Sequence, residues 1–190
     1  MRQSSANKKI LKNKKIIVGI TGSIAAYKTP LLVSFLVSEG AEVKTVMTGN
    51  AGFFVGKLTF RTLTKNPVYS GLFDSDADFD PEHIALADWC DLLLIAPATA
   101  NAISKIAAGV CDDILSTLAL SVKNEKIMIV PAMNSKMWLK PVIKRNVEAL
   151  KKDGCLFAGP VKGRLACGQD GEGRMLEPAD ILREVRDYFG

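Results

Sequence analysis

Three short polar turns, one histidine, one asparagine and a glycine-rich segment hold the residues of this 190-residue sequence whose types and spacing could do chemistry. Gly22-Ser23-Ile24 follows an apolar run and opens a helical pattern. Free backbone N–H groups, a hydroxyl and a helix dipole at such a turn can hold a phosphate, although a Gly-Ser turn also solves a tight strand-to-helix connection sterically. The segment is neither a G-x-G-x-x-G fingerprint nor a P-loop. Thr99-Ala100-Asn101-Ala102 forms a second turn of this kind, and Thr48 closes another apolar run. Two helix N-termini at one sheet edge favour a mononucleotide site more than either does alone, while Thr or Asn before a helix is also the usual cap. His83, the only histidine, begins the short pattern HIALADW. An imidazole ordinarily titrates near 6.5, which suits proton transfer, but a lone His is more often structural or solvated than catalytic. Asn134, in PAMNSKMW, can donate an amide or cap a helix. Cys167 lies among Gly163, Gly168, Gly171 and Gly173, beside Arg164 and Arg174. That reads as a mobile loop with an accessible thiol whose pKa the arginines lower, or as an ordinary surface loop with an incidental cysteine.

The elements that must position these residues follow from periodicity. Apolar runs of strand length occupy 15–21, 41–48, 91–97, 126–132 and 155–159. Near-continuous β-branched runs of this kind belong to strands buried on both faces, as in a parallel sheet covered by helices. Helical patterns lie between them, over 24–40, 50–64 (broken), 82–89, 100–108, 112–121, 135–152 and 179–188. Right-handed crossovers then give an α/β, three-layer, doubly wound parallel sheet in a single domain over 15–190, with ligands expected beyond the carboxyl ends of the strands.

Composition excludes several classes. The formal charge is +5, from 25 Lys+Arg and 20 Asp+Glu. Six of the basic groups and none of the acids fall in the first fifteen residues, which leaves 19 against 20 from Ile16 onward. Residues 1–14 therefore read as a flexible basic tail on a near-neutral body. A nucleic-acid groove would need cations clustered on a folded face, so no nucleic-acid partner is expected. No apolar run reaches the roughly 18–20 residues of a membrane span, and the chain reads as cytoplasmic. Cys90, Cys111, Cys155 and Cys167 show no metal-site spacing, so no metal is expected.

Taken together, TGSIAAYK, HIALADWCDLLLIAPATANAISKIAAGVCDD, PAMNSKMW and LACGQDGEGRM resemble, in order, the signature blocks of the homo-oligomeric flavin-containing cysteine decarboxylases. The resemblance covers residue 15 to about residue 188 and implies a Rossmann-like flavoprotein fold with FMN as cofactor. It implies that Gly22, Ser23, Ile24 and Thr48 hold the FMN phosphate. Thr99, Ala100, Asn101 and Ala102 would surround phosphate, ribityl chain and ring, with Ala132 beside the isoalloxazine. His83, Asn134 and Cys167 are the implied catalytic residues, and Asn134, Met137 and Arg174 the implied substrate contacts. Among family substrates, 4′-phosphopantothenoylcysteine, converted to 4′-phosphopantetheine in coenzyme A biosynthesis, is the closest match. The implied partners are further copies of the chain, as a trimer or dodecamer with active sites between protomers, and a fused or separate synthetase. The alternatives are a peptide-cysteine decarboxylase, a flavin prenyltransferase and a flavin-binding regulatory subunit; the complete LACG block and the three catalytic residue types weigh against them.

Overall fold

The computed structural model describes residues 10–72, 82–164, 168 and 170–190. Six strands form one parallel sheet: β1 (Lys15–Ile20), β2 (Glu42–Met47), β3 (Val68–Tyr69), β4 (Leu92–Ala98), β5 (Ile127–Pro131) and β6 (Leu156–Phe157). Their order is β3-β2-β1-β4-β5-β6. The chain therefore leaves β1 to one side and returns to its other side with β4. That reversal makes the space beyond β1 and β4 the topological switch point, where doubly wound sheets bind ligands.

Alternation along β1 divides the core into two. Ile16, Val18 and Ile20 pack with Leu32 and Leu36 of α1 (Thr29–Ser38), Phe60 of α2 (Lys57–Thr64) and Ile181 and Val185 of α8 (Pro178–Phe189). Ile17, with Leu93 and Ile95 of β4, packs on the other face against α4 (Ala100–Ala108), α5 (Ile114–Ser121) and α7 (Pro141–Lys152). The short α3 (Glu82–Trp89) joins this second layer through Leu86. All seven residues of β4 are buried, which accounts for the unbroken apolar run.

Four local readings change. The helical pattern over 135–152 splits into α6 (Ser135–Trp138) and α7, because Pro141 sits in the first turn of α7, where its missing N–H costs nothing, and it could not continue a helix from α6. The two-residue β3 is too short to show a period. The glycine-rich segment expected as a loop supplies an antiparallel ribbon, β7 (Val161–Arg164) with β8 (Asp170–Arg174). Finally, the body begins before Lys15: Leu11 is fully buried in the first core cluster and Asn13 donates its amide to Gly40. Burial of a leucine contributes about 1.5–3 kcal/mol, so these residues belong to the fold rather than to a tail.

Candidate functional site

Two recesses of about 600 Å³ each open at the switch point. The inner one is built from strand-end turns. Ser23 caps a 3-10 turn, Ile24–Lys28, by accepting from the Ala25 amide at 3.2 Å. Thr48 precedes a second 3-10 turn, Gly49–Phe53, and Thr99 caps α4 by accepting from the Ala102 amide at 3.3 Å. Gly22, Ser23, Thr48, Thr99, Ala100, Asn101, Ala102, Ala132 and Met137 all line this recess. Ile24 instead lines the outer one.

Glycine is required at position 22 by proximity. A Cβ there would lie 2.5 Å from the Cβ of Asn50 and 3.1 Å from its backbone. Gly19 plays a similar part, since its Cβ would meet Leu115 at 2.5 Å; its absence lets α5 lie against β1 and bring Asp113 and Ser116 to the recess wall. Asp113 caps α5 in a reciprocal arrangement with Ser116. Lys105 reaches Asp112 at 2.6 Å and Asp113 at 2.8 Å on the same wall. Burial opposes the charge of Asp113, but hydrogen bonds from Lys105 and the Ser116 amide outweigh it and leave its pKa below the usual value. Hydrogen bonds to Asp112, then Asp113, raise that of Lys105. Both groups stay charged.

The outer recess is lined by Ile24, Tyr27, Lys28, Asn134, Arg164 and Arg174, among others. Asn134 caps α6, accepting from the Lys136 amide at 2.8 Å. Lys28 reaches Glu177 at 2.6 Å, and Arg174 bonds the same carboxylate oxygen. The hydrogen bond from Lys28, with that from Arg174, depresses the Glu177 pKa. Two cations thus share one anion, and with Arg164 the recess carries a positive surplus. The ribbon covers it through Gly173, whose carbonyl accepts from the Met133 amide at 2.9 Å and where a side chain would collide with the Met133 carbonyl. The recesses meet, since Ser23, Ala132 and Met133 line both.

His83 stands apart: half-buried near the start of α3, it lines neither recess of this chain. Cys167 lies outside the described residues. Sequence reasoning missed Asn50, Lys28, Lys105 and Asp113. Lys28, Lys105 and Asp113 carried a signal in their blocks, AAYK, ISKIAAG and GVCDD, whereas Asn50 lies outside all of the blocks. Among the described residues no group of His, Cys, Asp or Glu could hold a metal ion, and no helix is long and apolar enough to cross a membrane.

A parallel sheet of this order, with turn N-termini and hydroxyls converging at its switch point, defines a Rossmann-like mononucleotide-binding fold. More particularly, the chain belongs to the family described as Flavoprotein, which it matches over residues 4–190. It is 42% identical over 180 residues to the coenzyme A biosynthesis bifunctional protein CoaBC of Bacillus subtilis (strain 168), covering 95% of this chain and 44% of that protein. The chain thus spans less than half the length of that relative. Among solved structures it is similar to a PPC decarboxylase mutant complexed with pantothenoylaminoethenethiol, with TM-score 0.81 and 33% identity over 94% of this chain and 99% of the other. The FMN binding protein AtHal3 gives TM-score 0.79 and 34% identity over 93% and 97%.

Proposed function

We propose that this chain is an FMN-dependent carbon–carbon lyase that decarboxylates 4′-phosphopantothenoylcysteine to 4′-phosphopantetheine. The observation that carries this reading is the junction of the recesses. A neutral cradle of turns and hydroxyls opens, at Ser23, Ala132 and Met133, into a positively charged chamber holding Asn134. The inner recess suits FMN. Gly22 lets the Asn50 segment pack directly against the first turn, and Ser23, Thr48, Thr99 and Asn101 offer donors to phosphate and ribityl oxygens.

A cysteinyl carboxylate does not readily lose carbon dioxide, because the resulting carbanion has no electron sink. FMN would supply a two-electron acceptor for the thiol carbon and the source of the electron pair needed after decarboxylation. The chain's own residues do the rest. Asn134 donates its amide to the substrate carboxylate without adding a charge that would over-stabilise the ground state. Lys28, Arg164 and Arg174 attract the substrate phosphate, and the ribbon anchored at Gly173 shields the junction from water. Cys167 delivers the proton that completes the saturated product, so the net reaction changes no oxidation state. The similarity to a PPC decarboxylase mutant complexed with pantothenoylaminoethenethiol supports an enethiol as the species that Cys167 protonates.

His83 acts from a neighbouring copy of the chain, in keeping with its lining neither recess of its own chain, and the working enzyme is the trimer or dodecamer that the family resemblance implies. The protein is cytoplasmic, and a phosphopantothenoylcysteine synthetase, fused or separate, is its partner. The test is an anaerobic assay with phosphopantothenoylcysteine and mass spectrometry of the product. The wild type should release saturated phosphopantetheine, Cys167→Ser the unsaturated thiol, and His83→Asn nothing while still binding FMN. Release of an unsaturated thiol by the wild type would favour the peptide-cysteine type of enzyme, and no turnover would remove the reading.

A further inference from the structure

The paired register of β1 and β4 ends with Gly19 opposite Ile95. Beyond that point the two chains diverge into the Gly22–Ser23 and Thr99–Ala102 turns, and side-chain hydroxyls link them. Thr21 is 2% exposed. Its Oγ1 donates to the Pro97 carbonyl at 2.7 Å and accepts from the Thr99 amide at 3.1 Å, while its own carbonyl accepts from the Ser23 amide at 2.9 Å. A single residue therefore bonds to the capping residue of both turns. Thr29, fully buried on α1, makes a hydrogen bond of the same chemical kind to the Ala96 carbonyl at 3.0 Å. Its backbone amide closes the far end of the Ile24–Lys28 turn on the Ala26 carbonyl, but its hydroxyl bonds to neither Ser23 nor Thr99.

We propose that Thr21 is a positioning residue for the cofactor: its hydroxyl sets the spacing between the Ser23 and Thr99 turns, so that both present their N–H groups to one phosphate. This inference rests on the FMN reading above. The hydroxyl is suited to the task because it is donor and acceptor at once, and its bond to the Pro97 carbonyl is buried, so that partner has no water as a substitute. Thr21→Val keeps the shape and removes both bonds, leaving the Pro97 carbonyl and the Thr99 amide unmatched.

The test uses FMN titration of the apo-protein by flavin fluorescence, together with thermal midpoints and hydrogen exchange at the Thr99 amide. Thr21→Val should weaken FMN binding about tenfold to hundredfold, and Thr21→Ser, which keeps the hydroxyl, by no more than about threefold. Thr29→Val should lower the thermal midpoint as Thr21→Val does, yet keep FMN affinity within about threefold. The Thr99 amide should exchange faster in Thr21→Val without cofactor, with the Ile103 amide unchanged. Unchanged FMN affinity in Thr21→Val overturns the proposal. So does Thr21→Ser binding as weakly as Thr21→Val, or Thr29→Val losing affinity equally, since either would reduce the role to general stability. If Thr21→Val does not fold, Thr21→Ala against Thr21→Ser makes the same comparison. A wild-type apo-protein that takes up no FMN would overturn the cofactor reading and this inference together, whereas normal wild-type binding with an indifferent Thr21 overturns the inference alone.

Discussion

Gly22→Ala should separate steric necessity from conformational preference at the cofactor turn. The φ of Gly22 lies outside the left-handed region, so alanine is conformationally acceptable there and only the neighbour objects. The new Cβ would stand 2.5 Å from the Asn50 Cβ and 3.1 Å from the Asn50 carbonyl. Carbon atoms in contact prefer about 3.5–4.0 Å, so the two turns must part by roughly 1 Å. Overpacking of this size costs about 1–3 kcal/mol. If the strain falls on the assembled cleft, FMN affinity drops by about fivefold to hundredfold. The compensating change is Asn50→Gly, which deletes the atom that is struck. The double variant should regain most of the loss, leaving only the 3.1 Å backbone contact to relax. FMN titrations of the two single variants and the double variant measure the coupling directly. Wild-type affinity in Gly22→Ala, or no recovery in the double variant, would refute the account of the turn.

Three further outcomes follow from buried groups. Thr45 is fully buried and its Oγ1 lacks a hydrogen-bond partner among the described residues, so Thr45→Val should stabilise the protein by about 1 kcal/mol, read as a thermal midpoint about 2–4 °C higher. Burial pushes the Cys155 thiol up to about 11 and raises that of Cys90, whereas Cys111 is exposed. At pH 8 a thiol reagent should therefore modify Cys111 and leave Cys90 and Cys155 untouched until denaturant is added; early loss of either would contradict the packing. The Asp113 carboxylate has a folded pKa below its unfolded value of 3.8, so its contribution is present above that value and is lost as pH falls through the lowered one. Denaturation curves between pH 5 and pH 2 should show a shallower acid-side loss in Asp113→Asn than in the wild type, and parallel slopes would remove the ion pair from the acid response.

What the sequence determined by itself was local in origin. Strands buried on both faces are apolar along nearly their whole length, so β1, β4 and β5 stood out as runs, while β2 was marked by Val43, Val46 and Met47 between polar residues. The turns after β1, β4 and β5 carried Gly22, Thr99 and Asn134 in recognisable blocks. Periodicity weakens where elements are short or glycine-rich, which is why β3, the β7–β8 ribbon and the inclusion of Leu11 in the folded body were not legible. Only the tertiary structure decided which turns meet. Strand order sets β1 beside β4, so Thr21 reaches Pro97, 76 residues away, and Lys28 reaches Glu177, 149 residues away. It also set Asn50 against Gly22, pinned Lys105 between Asp112 and Asp113, and left His83 outside both recesses. Such contacts depend on the order and packing of whole elements, and no window of neighbouring residues encodes them.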